Sequence, residues 1–138
     1  MKITDVTVQL VQSDCGRKWT HVHVHTDEGI TGIGEGTYSH KERVVAAMVM
    51  DLKEHVIGRD PFASEQIYLD LYAGARTGYG TGGVMFTSAI SGIDQALWDI
   101  KGKALNAPIC ALLGGPRTAK VPVYAHFGGR EIPAMIDS

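Results

Sequence analysis

Apolar residues recur along this chain with two periods, and the switch between them divides it. Over residues 2–12, Ile3, Val6, Val8 and Leu10 have polar partners between them, the pattern of a half-buried strand. Asp14-Cys15-Gly16-Arg17-Lys18 breaks the pattern with turn-forming and charged residues. Alternation returns over residues 20–26, Thr-His-Val-His-Val-His-Thr, and Asp27-Glu28-Gly29 marks a tight turn. Residues 30–37 predict a third short strand with glycine at 32, 34 and 36. Three strands joined by short links make an antiparallel meander.

Beyond residue 38 the period moves from 2 toward 3.6. Ser39-His40-Lys41-Glu42 fits a capping box, in which hydroxyl and carboxylate each satisfy a free backbone N–H. Val45, Met48, Leu52 and Val56 follow at helical spacing; Gly58 ends this helix and Pro61 prevents its continuation. A second helix is expected over residues 63–73, with Ile67, Leu71 and Tyr72 on its apolar face. Residues 74–83 form a glycine-rich loop. The longest helix spans residues 84–105 and is lined by Ile90, Ile93, Leu97 and Ile100. Its Ala89, Ser91, Gly92 and Ala96 are small enough for another element to approach closely. Asn106 ends it, Pro108 opens a short helix, and Gly114-Gly115-Pro116 closes that one. Residues 121–127 predict one more strand, with Gly128-Gly129 and the start of a helix behind it. Strands followed by helices give an α+β fold, a three-stranded antiparallel meander and then a three- to four-helix bundle. The last strand is surplus, because the meander is complete without it.

Composition narrows the class. The 138 residues are 44% hydrophobic and 20% charged, enough to bury a core and too apolar for disorder. The absence of any run of about 18 apolar residues excludes a membrane span. Two cysteines cannot make a disulfide scaffold, and Met1-Lys2-Ile3-Thr4-Asp5 lacks a signal-peptide layout, so reduced thiols and a cytoplasmic location are expected. Thirteen basic and 15 acidic residues give a scattered net charge of −2, with no basic stripe for nucleic acid.

Chemistry is sparse. His21, His23 and His25 share one strand face, where they could meet on zinc or copper in a small metal-binding protein, or fill the solvated face opposite Val22 and Val24. Gly78-Tyr79-Gly80-Thr81-Gly82-Gly83 matches a dinucleotide fingerprint, but a helix and not a strand precedes it. A flap carrying Arg76 and Tyr79, suited to anions and hydroxyls, is the better reading. Glu35 is a lone carboxylate at a strand end, read as solvated or capping. Asp94 and Asp99 face about 140° apart on their helix and cannot share a metal. Asp99 pairs with Lys103 at i, i+4, and Asp94, beside the apolar stripe, reads as a buried cap for backbone donors. The loop over residues 14–19 offers Cys15, Arg17, Lys18 and Trp19 for ligand contact. No complete active site is legible.

One stretch is more specific than the rest. Ser88-Ala89-Ile90-Ser91-Gly92-Ile93-Asp94-Gln95-Ala96-Leu97-Trp98-Asp99-Ile100-Lys101-Gly102-Lys103-Ala104-Leu105, continued by Pro108-Ile109 and Leu112-Leu113-Gly114-Gly115, resembles the first signature of the mandelate racemase/muconate lactonizing branch of the enolase superfamily. Thr26-Asp27-Glu28-Gly29-Ile30-Thr31-Gly32-Ile33-Gly34-Glu35 is similar to that family's N-terminal hairpin, and the helix motif looks closest to acid-sugar dehydratases of the galactonate type. The resemblance implies an α+β capping domain, residues 1–117, over a (β/α)₇β barrel whose first strand begins within residues 118–138. It implies Mg²⁺ held by barrel carboxylates, and a Lys or His base that removes the proton alpha to a carboxylate. A barrel needs about 250 residues; every metal ligand and acid/base position is expected beyond Ser138. The cap loops would set specificity for an acid sugar through Cys15, Arg17, Lys18 and Trp19, with Arg76 and Tyr79 on a second loop. The chain alone is therefore expected to be inactive. The rival expectations are a free-standing, non-catalytic domain that pairs with a separate barrel chain, and the His-based metal protein above. Homo-oligomers are common in the family.

Overall fold

A computed structural model describes residues 1–74, 83–116 and 118–124. Three strands, β1 (Ile3–Gln12), β2 (Lys18–Thr26) and β3 (Thr31–Glu35), form an antiparallel sheet in the order β1-β2-β3. Helices α1 (Glu42–Leu52), α2 (Ser64–Gly74), α3 (Gly83–Ala104) and the single turn α4 (Ile109–Leu112) follow, with 3₁₀ turns at Lys53–His55 and Pro61–Ala63. The α+β meander-then-helices order is the one the sequence predicts.

Ile3 and Val6 stand three apart, so strict alternation would put them on opposite faces. A register shift between Ile3 and Asp5 turns both inward, and both are buried. Val22 and Val24 of β2 join them, as expected. Val45, Val49 and Leu52 of α1, Ile67 and Leu71 of α2, and Ile90, Ile93, Leu97 and Ile100 of α3 close the core over this face.

Helix α3 sits almost on the backbone of β3. A Cβ at Gly32 would run into the Ala96 carbonyl oxygen, and one at Gly34 into the Gly92 carbonyl oxygen. The strand glycines and the small residues of α3 are two halves of one contact. Along the flank of that contact, Gln95, Asp99 and Lys103 recur every four residues. Gln95 Oε1 accepts the Glu35 N–H at 3.2 Å, and its Nε2 donates to the Glu35 carbonyl at 3.1 Å. Asp99 accepts the Ile33 N–H at 2.8 Å, and Lys103 donates to the Thr31 carbonyl at 2.7 Å. The helix thus supplies the edge of β3 with the partners a fourth strand would give. The expected Asp99–Lys103 pair forms at 2.7 Å within this row. Lys101, on another face of α3, lies 4.4 Å from the Trp98 ring centre and donates to the buried Ser64 hydroxyl at the start of α2. Asn106 ends the helix as read, at φ 48°, and the Ala107 N–H returns to the Gly102 carbonyl at 2.9 Å.

Several expectations need correction. Ser39 does not cap α1: Lys41 is the N-cap residue, with no side-chain cap bond. Neither half of the capping box forms: the Glu42 carboxylate accepts the His40 N–H at 2.9 Å, one residue beyond the Ser39 N–H that the box requires. His40 at φ 63° has already turned the chain, so the hydroxyl stands outside the helix start. Tyr72 is 53% exposed and stacks on Tyr68, leaving Ile67 and Leu71 as the buried face of α2. Asp94 makes no hydrogen bond among the described residues, and burial raises its pKa in place of the expected capping role. Val121–Tyr124 form no strand pairing; Val121 and Val123 are 74% and 89% exposed. They pair with neither edge of the sheet, β1 or β3. The rest of that predicted strand lies outside the described residues.

Candidate functional site

The sheet places two chain segments side by side beyond the core. The first is the β1–β2 turn. Ser13 N–H bonds the Arg17 carbonyl at 2.9 Å, and Gly16 N–H returns to the Ser13 carbonyl at 2.9 Å, with Gly16 at φ 80°. The second is the β3–α1 connection, tied to β2 by Gly36 N–H to the Thr20 carbonyl and Thr20 N–H to the Thr37 hydroxyl, 2.9 and 3.0 Å. Between them lies a cleft of about 560 Å³. Cys15, Gly16, Arg17, Lys18 and Trp19 line one wall; Thr37, Ser39, His40 and Glu42 line the other.

All four candidates from the first loop therefore face one cavity. Arg17 and Lys18 are exposed and Trp19 is half-buried. Cys15 is a free, exposed thiol, as is Cys110. The Ser13 hydroxyl, 2.9 Å from Cys15 Sγ, is the main cause holding that thiol below its usual pKa; a backbone bond at Arg17 and the guanidinium charge add to it. Arg76 and Tyr79, with the glycine-rich segment around them, lie outside the described residues. The second wall is not legible in the sequence as a site, because the spacing of Ser39 and Glu42 reads as a helix start. The available signal is the cluster Thr37, Ser39 and His40, all within five residues of the end of β3, which pairs with β2. His40 takes a left-handed backbone that costs a non-glycine residue about 1 kcal/mol. Its N–H bond to Glu42 offsets part of that strain.

The histidine row lies on the opposite sheet face from the core. The His23 and His25 rings stack with centres 6.4 Å apart. His25 bridges the hydroxyls of Thr7 and Thr31 at 3.0 and 3.1 Å, so both its nitrogens are engaged. Cross-strand, Asp5 faces His25 and Glu35 faces His21. Among the described residues no group of three His, Cys, Asp or Glu side chains is placed to hold a metal ion. His23 Nε2 is buried without a partner among them. Burial, then the charges of His25, His21 and Lys103, lower the His23 pKa from its ordinary 6.5. The unfolded chain then binds the proton more readily, so stability conferred by neutral His23 is present above about pH 6.5 and lost as pH falls below it. Urea midpoints at pH 8 and pH 5.5 should show that fall. His23→Leu should flatten part of it, and an unaltered pH slope would refute the assignment.

A three-stranded meander closed by helices, with an open polar cleft at its hairpin tip, defines an α+β capping domain of the enolase type. The chain belongs to the mandelate racemase/muconate lactonizing enzyme N-terminal domain family, which it matches over residues 6–114. Solved relatives agree. It is similar to a protein of Mesorhizobium loti classed as a dehydratase, at 40% identity and TM-score 0.77, over 86% of this chain and 31% of that one. An enolase-superfamily member from Salmonella Typhimurium shares 40% identity at TM-score 0.76, over 85% and 30%. The 3,6-anhydro-D-galactonate cycloisomerase of Zobellia galactanivorans shares 34% at TM-score 0.73, over 85% and 33%. The chain thus spans about a third of the length of these relatives.

Proposed function

We propose that this chain is the capping and specificity domain of a Mg²⁺-dependent enzyme that abstracts the proton alpha to the carboxylate of an acid sugar. The observation that carries this reading is the cleft itself. In a family domain, it gathers Cys15, Arg17, Lys18 and Trp19 against Thr37–Glu42 at a hairpin tip free of the core. Cations, hydroxyls and an aromatic face suit an anionic polyol. The described residues offer no set of carboxylates fit for a hard cation. In this reading the metal and the acid/base residues sit on a barrel that begins within residues 118–138. The cap's part is to bind, orient and exclude water.

Two measurements test it. The 138-residue chain with Mg²⁺ and an acid-sugar library should give no turnover; robust turnover would overturn the reading. Grafting residues 1–114 onto the remaining two-thirds of the Mesorhizobium loti relative should give a folded chimera that turns over at least one library member. A folded chimera inactive on every acid sugar its parent accepts, and on all others, would also overturn it.

A further inference from the structure

The sheet order β1-β2-β3 leaves two edges, and α3 serves only β3. The direction of the backbone groups of β1 follows from β2. Thr20 turns its N–H and carbonyl toward the β3 side, to the Thr37 hydroxyl and the Gly36 N–H, and the Thr26 N–H goes the same way, to the Ile30 carbonyl. By alternation, Trp19, His21, His23 and His25 are the residues of β2 that bond β1. Their register partners there are Val11, Gln9, Thr7 and Asp5, so Val6, Val8, Leu10 and Gln12 turn their backbone groups to the free edge. The chain closes the near end of that edge. Ile3 N–H bonds the Arg59 carbonyl at 2.9 Å and its carbonyl accepts the Gly58 N–H at 2.8 Å, while the Asp5 carboxylate takes the Val6 N–H at 2.9 Å. The far end is open: among the described residues, Val8 and Leu10 have no backbone partner on this side. Beside it lies a groove of about 380 Å³ between residues 10–12 and residues 40–44 at the start of α1. Leu10 and Val44 are 47% and 42% exposed there. Lys18, Lys41 and Arg43 also line it, exposed, and among the described residues none has a carboxylate within salt-bridge reach. Glu42, its lone carboxylate, is taken by the His40 N–H. Helix α1 starts with no side-chain cap, so its dipole adds positive potential at this end.

An open strand edge is a template for another strand. The charge decides which. A second copy of β1 would bring its own Lys18, Lys41 and Arg43 against these three, a like-charge contact that costs several kcal/mol. A strand with carboxylates at alternate positions gains charge-assisted hydrogen bonds from the same cations while its backbone bonds Val8 and Leu10. We propose that the free edge of β1 from Val8 to Gln12 docks an extended acidic segment of a partner protein as a fourth strand, with Lys18, Lys41 and Arg43 reading its alternate carboxylates. The segment is held chiefly through its backbone and is not turned over. The proposal stands apart from the capping reading and needs neither the barrel nor a sugar.

NMR shifts and amide hydrogen exchange of the whole 138-residue chain test it. The probe is a blocked peptide of about seven residues alternating glutamate with threonine, long enough at about 3.4 Å per residue to span Val8 to Gln12. At saturation it should slow exchange of the Val8 and Leu10 amides about tenfold or more, shift Lys41 and Arg43, and lose affinity as salt is raised. The same peptide with lysine for glutamate should do none of this. Two N-methylated forms separate strand pairing from charge alone, because alternate N–H groups of a strand point to opposite edges. One is methylated at every glutamate and the other at every threonine, and only one of them should still bind. In Lys41→Glu/Arg43→Glu, whose two sites are exposed, the remaining spectrum should superimpose and the preference should pass to the lysine peptide. No slowing at Val8 and Leu10, equal binding of the glutamate and lysine peptides, or binding by both N-methylated forms would each overturn the proposal. So would slowing that grows with protein concentration and needs no peptide, which would make a second copy the occupant.

Discussion

Gly34→Ala is expected to destabilise the domain by about 3 kcal/mol, at the upper end of what overpacking costs. The new methyl would press on the Gly92 carbonyl of α3, and lie 2.8 Å from the Ala96 nitrogen and 2.9 Å from the Gln95 Cβ. None of these can swing aside: two are helix backbone, and the third is the root of a side chain bonded to β3 at both ends. Relief requires lifting the whole helix, which would open the core over Val22, Ile93 and Ala96. The melting temperature should fall by roughly 10 °C or more. Gly29→Ala is the control. It sits at φ 77° with nothing within 4 Å, so it adds backbone strain of only about 1–2 kcal/mol and no clash. Superimposable melting curves for the two variants would show that the close approach carries no special weight.

The double variant Gln95→Ala/Asp99→Ala should have the second largest effect. It removes three hydrogen bonds to the β3 edge and the partner of Lys103. Because this edge is partly in water, the loss should be about 2 kcal/mol, less than for buried partners. The diagnostic consequence is association. With its N–H and C=O groups unpaired, β3 becomes a template for another strand. Size-exclusion chromatography should show concentration-dependent oligomers that the parent does not form at the same concentration. A strictly unaltered elution profile across a hundredfold dilution would exclude this protective role.

The fold was largely legible because its signals are local. Period 2 gives way to period 3.6 near residue 38, and Gly74 and Asn106 mark the ends of α2 and α3, whereas α1 stops at Leu52 and passes into a 3₁₀ turn before Gly58. The meeting of β3 with α3 was half legible. The small residues of α3 announced a close neighbour, but only the folded chain says that the neighbour is the glycine run of β3. In the sequence Asp99 and Lys103 read only as an i, i+4 pair within one helix. Their bonds to Ile33 and Thr31 span 66 and 72 residues, a distance no local pattern reports. The site divides in the same way. Arg17, Lys18 and Trp19 stand out as a polar break between two alternating runs. His40 and Glu42 were absorbed into a helix-start motif, and a single left-handed residue, His40, decides otherwise.

The β1–β2 turn hangs from a hairpin whose register is set by Val6, Val8, Val22 and Val24, well short of its tip. Residues 14–18 are all exposed, and none belongs to the core. What the cleft presents and what holds the domain together are therefore separate parts of the chain. The tip can be rewritten, in a laboratory library or over generations, with little cost to folding. Such a domain is an exchangeable cover: its recognition chemistry can drift while its architecture stays still.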